Sequence, residues 1–208
     1  MRDLVIVGAG GHGRETLDIV EAINAVEPRW NFLGFIDGGP GVAARLERRG
    51  AAIIGNGAED VPAGASYVIG IGASEVRARI DADFSAAGLE AATLVHPQAT
   101  VASDNRLGPG VLIAAGAHVT TNVSLGRHTH LNVGAIVSHD CVVGDHTTLS
   151  PGVHLNGEVT VGDGVFFGTG AIVTPQCTVG DRAKVGAGAV VLADVPANAT
   201  AVGVPAQW

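Results

Sequence analysis

From Val95 onward the sequence repeats every six residues. Steps of six land on Val95, Val101, Leu107, Ile113, Val119, Leu125, Leu131, Val137, Val143, Leu149, Leu155, Val161, Phe167, Val173, Val179, Val185 and Val191, seventeen consecutive hexads with an aliphatic residue or Phe and no slip. The position four further on is mostly small or β-branched, as at Ala99, Val111, Ala117, Ala135, Cys141, Ala171, Cys177, Ala183 and Ala189. Glycine recurs directly after the aliphatic residue, at Gly108, Gly126, Gly144, Gly162, Gly168, Gly180 and Gly186. An amphipathic helix repeats every 3.6 residues and a half-buried strand every 2, and neither produces this spacing. So short a period, sustained so long, marks a solenoid. The reading that fits is a parallel β-solenoid of triangular section, one hexad per face and three per turn. The aliphatic residue and the small residue four later point inward, and glycine helps the chain round a corner where a Cβ would clash. Residues 18 apart then stack on neighbouring coils, about 4.8 Å from each other.

Composition agrees with a thin core. Glycine contributes 31 of 208 residues, about twice its usual share. Aromatics are 4% and charged residues 15%, yet 47% of the chain is hydrophobic. A disordered chain would be charge-rich and apolar-poor, and a collagen would carry glycine at every third position. No apolar run approaches the length of about 18 residues that a membrane span needs, and no signal-peptide pattern follows Met1. The expectation is a cytoplasmic protein. Net charge is −8, with 8 basic and 13 acidic residues before position 95 and 4 and 7 after it. Neither part is a basic surface, so nucleic acid and anionic membranes are not expected partners. Any phosphate-bearing ligand must be held by backbone amides or a few local cations. The two cysteines, Cys141 and Cys177, are 36 residues and hence two coils apart, about 10 Å and too far for a disulfide. Both read as small core fillers.

Residues 1–94 read as a small Rossmann-like α/β domain with a parallel sheet, ahead of an all-β solenoid domain over 95–208. Strands are expected at Leu4–Val7, Phe32–Asp37, Tyr67–Ile71 and Ala91–Val95, and helices from Arg14 to Val26 and Glu75 to Ala87. Gly8-x-Gly10-x-x-Gly13 after the first strand, with Asp37 ending the next, matches the dinucleotide fingerprint. The domain is too short for both mononucleotide halves, and no second domain for hydride chemistry follows. A half-sized version holding the nucleotide part of an activated sugar fits its length better. Amides of the loop and of the helix N-terminus would face an anionic group, with His12 as a ligand contact.

The hexads resemble those of the hexapeptide-repeat, left-handed parallel β-helix superfamily, whose handedness departs from the right-handed crossover rule. That resemblance implies a homotrimer with active sites between subunits. It does not by itself choose a chemistry, because acyltransferases, some nucleotidyltransferases and a class of carbonic anhydrase share the fold. His118 and His154 are two coils apart, a separation used by zinc ligands in those anhydrases, but the place of the third ligand holds Val159. No metal is expected. His128 and His146, one coil apart, read either as a metal pair at a subunit boundary or as solvated corner residues.

The stretch Asn132-Val133-Gly134-Ala135-Ile136-Val137-Ser138-His139-Asp140-Cys141-Val142-Val143-Gly144-Asp145 resembles the catalytic coil of the sialic acid O-acetyltransferase and nucleotide-amino-sugar N-acetyltransferase family. The likeness extends to Gly10-Gly11-His12-Gly13, to Gly34-Phe35-Ile36-Asp37 and to Gly203-Val204-Pro205-Ala206. It implies His139 as general base with Asp140 modulating it, acetyl-CoA contacts at Thr148, Gly157, Thr169 and Ala187, and acceptor contacts at Gly10, Gly11, His12, Asp37 and Asn132. Three positions depart from the family pattern: Thr148 stands in place of a histidine, Gly38 in place of a second acid, and Gln207 in place of a basic residue. His146, two residues before Thr148, is a geometrically different substitute for that histidine. Independent structural roles exist as well, with Asn132 and Asp140 as turn residues, Asp37 as a loop cap and His139 as an ordinary surface residue.

The chemistry accounts for the histidine. An amine or hydroxyl attacking a thioester must lose a proton, and a side chain with a pKa near 6.5 can take it at neutral pH. A backbone N–H can stabilise the oxyanion. The expectation is therefore an acetyl-CoA-dependent sugar acetyltransferase acting on the amino group of a nucleotide-linked amino-sugar. O-acetylation of a sialic-acid-like sugar is the near alternative, and a zinc hydratase or a non-catalytic trimeric scaffold the distant ones.

Overall fold

The computed structural model describes residues 1–39 and 43–208. The N-terminal part is a parallel sheet of β1 (Arg2–Val7), β2 (Trp30–Ile36), β3 (Ile53–Gly55) and β4 (Ser66–Ile69), in the order β3-β2-β1-β4. Helix α1 (Gly11–Val26) links β1 to β2, α2 (Ala43–Glu47) precedes β3, and α3 (Ser74–Ala86) follows β4. Central strand β1 is apolar without a break from Leu4 to Val7 because both its faces are covered there. Leu4 and Ile6 pack with Leu17, Ile19 and Val20 of α1, while Val5 and Val7 pack with Phe84 of α3. Strand β3 has no counterpart in the sequence reading, since Ile53 and Ile54 are more than a third exposed and three residues give no alternation. The expected strand over 91–95 serves two sheets instead. Ala91 bridges to Tyr67, and Leu94–Val95 pairs with Leu112–Ile113 as the first solenoid strand.

Beyond it, two-residue strands follow at every sixth position and stack in register 18 residues apart, as in Ser124↔Val142 and His130↔Thr148. They form three parallel sheets. The first face runs from Leu94–Val95 through His130–Leu131 to Thr200–Gly203, the second from Thr100–Val101 to Val190–Val191, and the third from Arg106–Leu107 to Thr178–Val179. The hexad aliphatics and the residues four later fill one continuous core, including free Cys141 and Cys177. Each Val or Leu buried there contributes about 2 kcal/mol.

The corner glycines stand where a Cβ would clash, as expected. Those directly after the aliphatic residue have no left-handed backbone; they permit close approach, since a Cβ on Gly108 would lie 2.8 Å from the backbone N of Arg127. The left-handed corner lies two residues later. Glycine occupies it at Gly110, Gly116, Gly134 and Gly152, but Asn122, His128, Asp140, His146, Glu158, Gln176 and Arg182 also adopt it, with φ of 49–64°. Asparagine and aspartate tolerate that conformation better than other side chains.

The N-terminal sheet and the first face share a core through Leu94, Leu112 and Ala114. Arg77 of α3 is fully buried in the junction. Its guanidinium donates to the carbonyls of His128 at 2.9 Å, Ile71 at 2.8 Å and His146 at 2.6 Å, and to Thr148 Oγ1 at 2.8 Å. Burial among neutral acceptors pushes its pKa down to about 9. One helical turn on, Asp81 accepts from Tyr67 Oη at 2.6 Å, Arg127 Nε at 2.7 Å and His146 Nε2 at 2.9 Å. Burial alone would raise its pKa, but the hydrogen bonds from Arg127, Tyr67 and His146 outweigh that and hold it well below the usual carboxylate range. His128 stacks between Tyr67 and His146 at centroid distances of 5.6 and 5.8 Å. Its Nε2 lies 2.9 Å from Asp81 Oδ1 without hydrogen-bond alignment, so neither ring nitrogen is paired. His128 and His146 are thus neither solvated nor a metal pair; α3 covers both. Among the described residues no helix is long and apolar enough to cross a membrane.

Candidate active site

His139 and Asp140 occupy the edge where the second face turns into the third. The left-handed backbone of Asp140, φ 62°, turns its carboxylate beside its neighbour, and His139 Nδ1 lies 2.8 Å from Asp140 Oδ2. The other carboxylate oxygen accepts from Asn122 Nδ2, one coil earlier, at 2.6 Å. These bonds, Asn122 first and His139 second, lower the Asp140 pKa. An ionised carboxylate only accepts, so Nδ1 carries the proton and Nε2 keeps a basic lone pair. The ring rests on Gly157, one coil later, where a Cβ would come within 2.4 Å of Cε1 and 2.5 Å of Nε2. Gly157, expected as a cofactor contact, is therefore also the floor beneath the imidazole.

The glycine loop faces another edge, where the first face turns into the second. Gly8 has φ +93°, and a Cβ on Gly13 would sit 1.8 Å from the Gly8 carbonyl oxygen, so the loop needs both glycines. Gly10 and Gly11 are exposed at the start of α1, with no atom within 4 Å of where a Cβ would stand. His12 Nδ1 points to Glu15 Oε2 at 3.4 Å, and its Nε2 meets Nδ1 of fully buried His130 at 3.2 Å. Glu15 can only accept, so His12 is protonated on Nδ1 and His130 donates its own Nδ1–H to His12 Nε2. His130 Nε2 is left buried without a partner. Burial is the main cause that lowers both histidine pKa values and keeps the pair neutral. Below them His12, His96, Asn132 and Val133 line a cavity of about 150 Å³. Asn132 Nδ2 donates to the Leu149 carbonyl at 2.8 Å, a turn-stabilising role that leaves its Oδ1 available.

Asp37 clasps two loops: Oδ2 accepts from Ala9 N and Oδ1 from Gly39 N, both at 2.6 Å. It stands in a larger cavity of about 490 Å³ at the C-terminal ends of β1 and β2, walled by Ile71, Ile80 and Phe84. The strand order reverses next to β1, the usual place for a ligand crevice in a sheet of this kind. Thr169 and Ala187 are exposed and stack one coil apart on the same edge as Asn132. Thr148 lies elsewhere. It is 2% exposed, and its hydroxyl donates to the Gly72 carbonyl at 2.9 Å while accepting from Arg77. The expected cofactor contact there gives way to a junction role, and His146 is likewise committed to Asp81. His118 and His154 sit on the second face with Ile136 between them, and Val159 is core. Among the described residues no three His, Cys, Asp or Glu side chains converge as metal ligands.

Apart from Asp37 in the sheet cavity and Thr148 in the junction, the expected site residues thus fall into two sets at two edges of the prism. Asn122 and His130 join them as contributors that sequence reasoning missed. For Asn122 the signal was available, since it sits 18 residues before Asp140. For His130 nothing in the sequence showed that the glycine loop would cover it.

A family model of the PglD N-terminal domain matches residues 3–83, and one of the bacterial transferase hexapeptide (six repeats) matches residues 158–193. No curated protein matches the chain by sequence. Among solved structures, a mutant of perosamine N-acetyltransferase from Caulobacter crescentus, in complex with CoA and GDP-perosamine, is 32% identical over 99% of this chain and 95% of that one, with a TM-score of 0.88. The acetyltransferase domain of PglB from Neisseria gonorrhoeae FA1090, in complex with acetyl coenzyme A, is 31% identical over 99% and 98%, with a TM-score of 0.88. WeeI from Acinetobacter baumannii AYE is 27% identical over 100% and 99%, with a TM-score of 0.83.

Proposed function

The chain belongs to the hexapeptide-repeat sugar acetyltransferases, in the family of the sialic acid O-acetyltransferases and nucleotide-amino-sugar N-acetyltransferases, and on that premise we propose that it transfers the acetyl group of acetyl-CoA to the amino group of a nucleotide-linked amino-sugar. The similarity to a perosamine N-acetyltransferase bound to CoA and GDP-perosamine supports the substrate class. The observation that carries the chemistry is the His139–Asp140 pair, with an imidazole bound at Nδ1 and open at Nε2. As the amine attacks the thioester carbonyl, its proton passes to His139 Nε2. The C–N bond forms, the C–S bond breaks, and the imidazolium returns that proton to the departing sulfur, so CoA leaves as the thiol and His139 is again neutral. The carboxylate of Asp140 holds the ring in the tautomer this needs and stabilises the imidazolium. A thioester is already activated, so direct attack suffices.

The two edges explain why a second copy is part of the proposal. His139, Asp140 and Gly157 lie on one side of the second face, and His12, Asn132, Thr169 and Ala187 on the other. One chain cannot bring them together, but a trimer that buries the second face sets one copy's His139 edge against its neighbour's glycine-loop edge. That face carries outward Ile136, Ile172 and Val190, all half-buried already. The acceptor's nucleotide then lies at Asp37, its sugar near His12 and Asn132, and acetyl-CoA along Gly157, Thr169 and Ala187. The test is release of CoA thiol from acetyl-CoA with a panel of nucleotide-linked amino-sugars. His139→Ala is expected to lose at least about 10²-fold in kcat, and wild-type turnover in that variant refutes the proposal.

A further inference from the structure

The basic residues of this acidic chain are not spread evenly. Arg14 of α1 and Arg45, Arg48 and Arg49 at and after α2 line one cavity of about 310 Å³, in a protein of net charge −8. Arg49 is the anchor: it bridges Asp18 at 2.5 Å and Glu21 at 2.6 Å, and donates to the Arg14 carbonyl at 3.1 Å. Arg14 is tied to the glycine loop, its Nε donating to the Gly10 carbonyl at 3.2 Å. Arg45 and Arg48 are exposed and have no acidic partner among the described residues. Converging guanidinium groups repel one another unless an anion compensates them.

The larger cavity beside Asp37 cannot serve a phosphate in the same way. Its charged lining residues are Asp37, Glu59 and Asp83, and no lysine, arginine or histidine lines it. It suits an uncharged base and ribose, and it repels a phosphate. The exposed amides of Gly10 and Gly11 open the helix, and Arg14 joins them to the arginine cavity. We propose that this arginine cluster is a phosphate-binding site that takes a diphosphate. Four guanidiniums, two of them held in place, suit a polyanion that accepts paired N–H donors. Only the identity of the diphosphate carrier rests on the transferase reading: it belongs either to the nucleotide-linked acceptor or to acetyl-CoA.

The experiment is titration calorimetry of the full chain with inorganic pyrophosphate, repeated on the double variant Arg45→Ala, Arg48→Ala. These two side chains touch no carboxylate, so a thermal melt is expected to match wild type. Binding is expected to weaken by about tenfold or more in the variant and to fall as salt is added. Equal affinity in both proteins, or no binding by wild type, overturns the site. KM values then assign the carrier. A rise for the nucleotide-linked acceptor but not for the free amino-sugar assigns the acceptor's diphosphate. A rise for acetyl-CoA but not for S-acetylpantetheine assigns the cofactor's. Pyrophosphate binding that depends on Arg45 and Arg48 in a chain without transferase activity refutes the transferase reading and leaves the site standing.

Discussion

Replacing Gly157 with alanine separates a catalytic floor from a structural glycine. The backbone at 157 is not left-handed, so alanine is allowed there conformationally. Its Cβ, however, would stand 2.4 Å from His139 Cε1 and 2.5 Å from Nε2. Ordinary contact begins near 3.5 Å, an overlap of about 1 Å that only the ring can relieve, because its side chain is 54% exposed. A displacement of about 1 Å at a catalytic group costs about 10²-fold in rate, while an outward swing of an exposed ring costs little stability. Gly157→Ala is therefore expected to melt with the wild type, to lose about 10²-fold in kcat at saturating substrates, and to retain CoA affinity by calorimetry. Gly164→Ala gives the opposite signature. It has φ +66° and only an ordinary contact with Arg182, so it should cost about 1–2 kcal/mol of stability with kcat unchanged. A Gly157→Ala enzyme with wild-type kcat refutes the placement of the base. A loss expressed only as weaker CoA binding returns Gly157 to the cofactor alone.

Buried histidines give the stability a direction in pH. Desolvation, only partly offset by Asp81, pushes His128 down to about 4, so the fold keeps it neutral while the unfolded chain protonates near 6.5. Its stabilising share is complete above about pH 6.5 and is lost as pH falls toward 4, up to about 3 kcal/mol. His128→Asn, which suits the left-handed corner, should flatten the fall in melting temperature between neutral and mildly acidic buffer; an unchanged slope contradicts this. Arg77→Met leaves the carbonyls of Ile71, Gly72, His128, His146 and Thr147 without their buried donor. Urea unfolding should show a loss of about 3–5 kcal/mol, and a loss below about 1 kcal/mol would mean the junction closes by packing alone. His130→Leu removes the donor to His12 Nε2, and nitrogen NMR shifts should report His12 leaving its Nδ1–H tautomer. A His12 spectrum identical to wild type argues against the Glu15–His12–His130 chain.

The period of six is a local property, and everything that follows from it was legible: the three faces, the core positions and the 18-residue register. His139 and Asp140 are adjacent within a single corner, and it was the resemblance of their coil to a family's catalytic coil, not the period, that singled them out. The left-handed position was hidden because polar residues such as Asn122, His128 and Arg182 replace glycine there, while the conspicuous glycines one place after the aliphatic serve close approach instead. Thr148, His128 and His146 could not be read correctly, because only the docking of α3 buries Thr148 and His128 and ties His146 to Asp81. Asp37 was read both as a ligand contact and as a loop cap, and the cap role is present in its bonds to Ala9 N and Gly39 N, although no spacing names those partners.

The triangular winding ties function to counting. Which edge a residue occupies depends only on its position modulo 18. Losing one hexad between Asn132 and Thr169 would carry Thr169 and Ala187 around the prism by a third of a turn, away from Asn132. Losing three hexads would leave them on their edge, one coil nearer to it, with a shorter groove. Length changes that preserve the register are therefore whole turns, and because every stretch of three hexads between Asn132 and Thr169 contains His139 or Gly157, a chain of this type can gain a coil here but cannot lose one without altering the His139 edge.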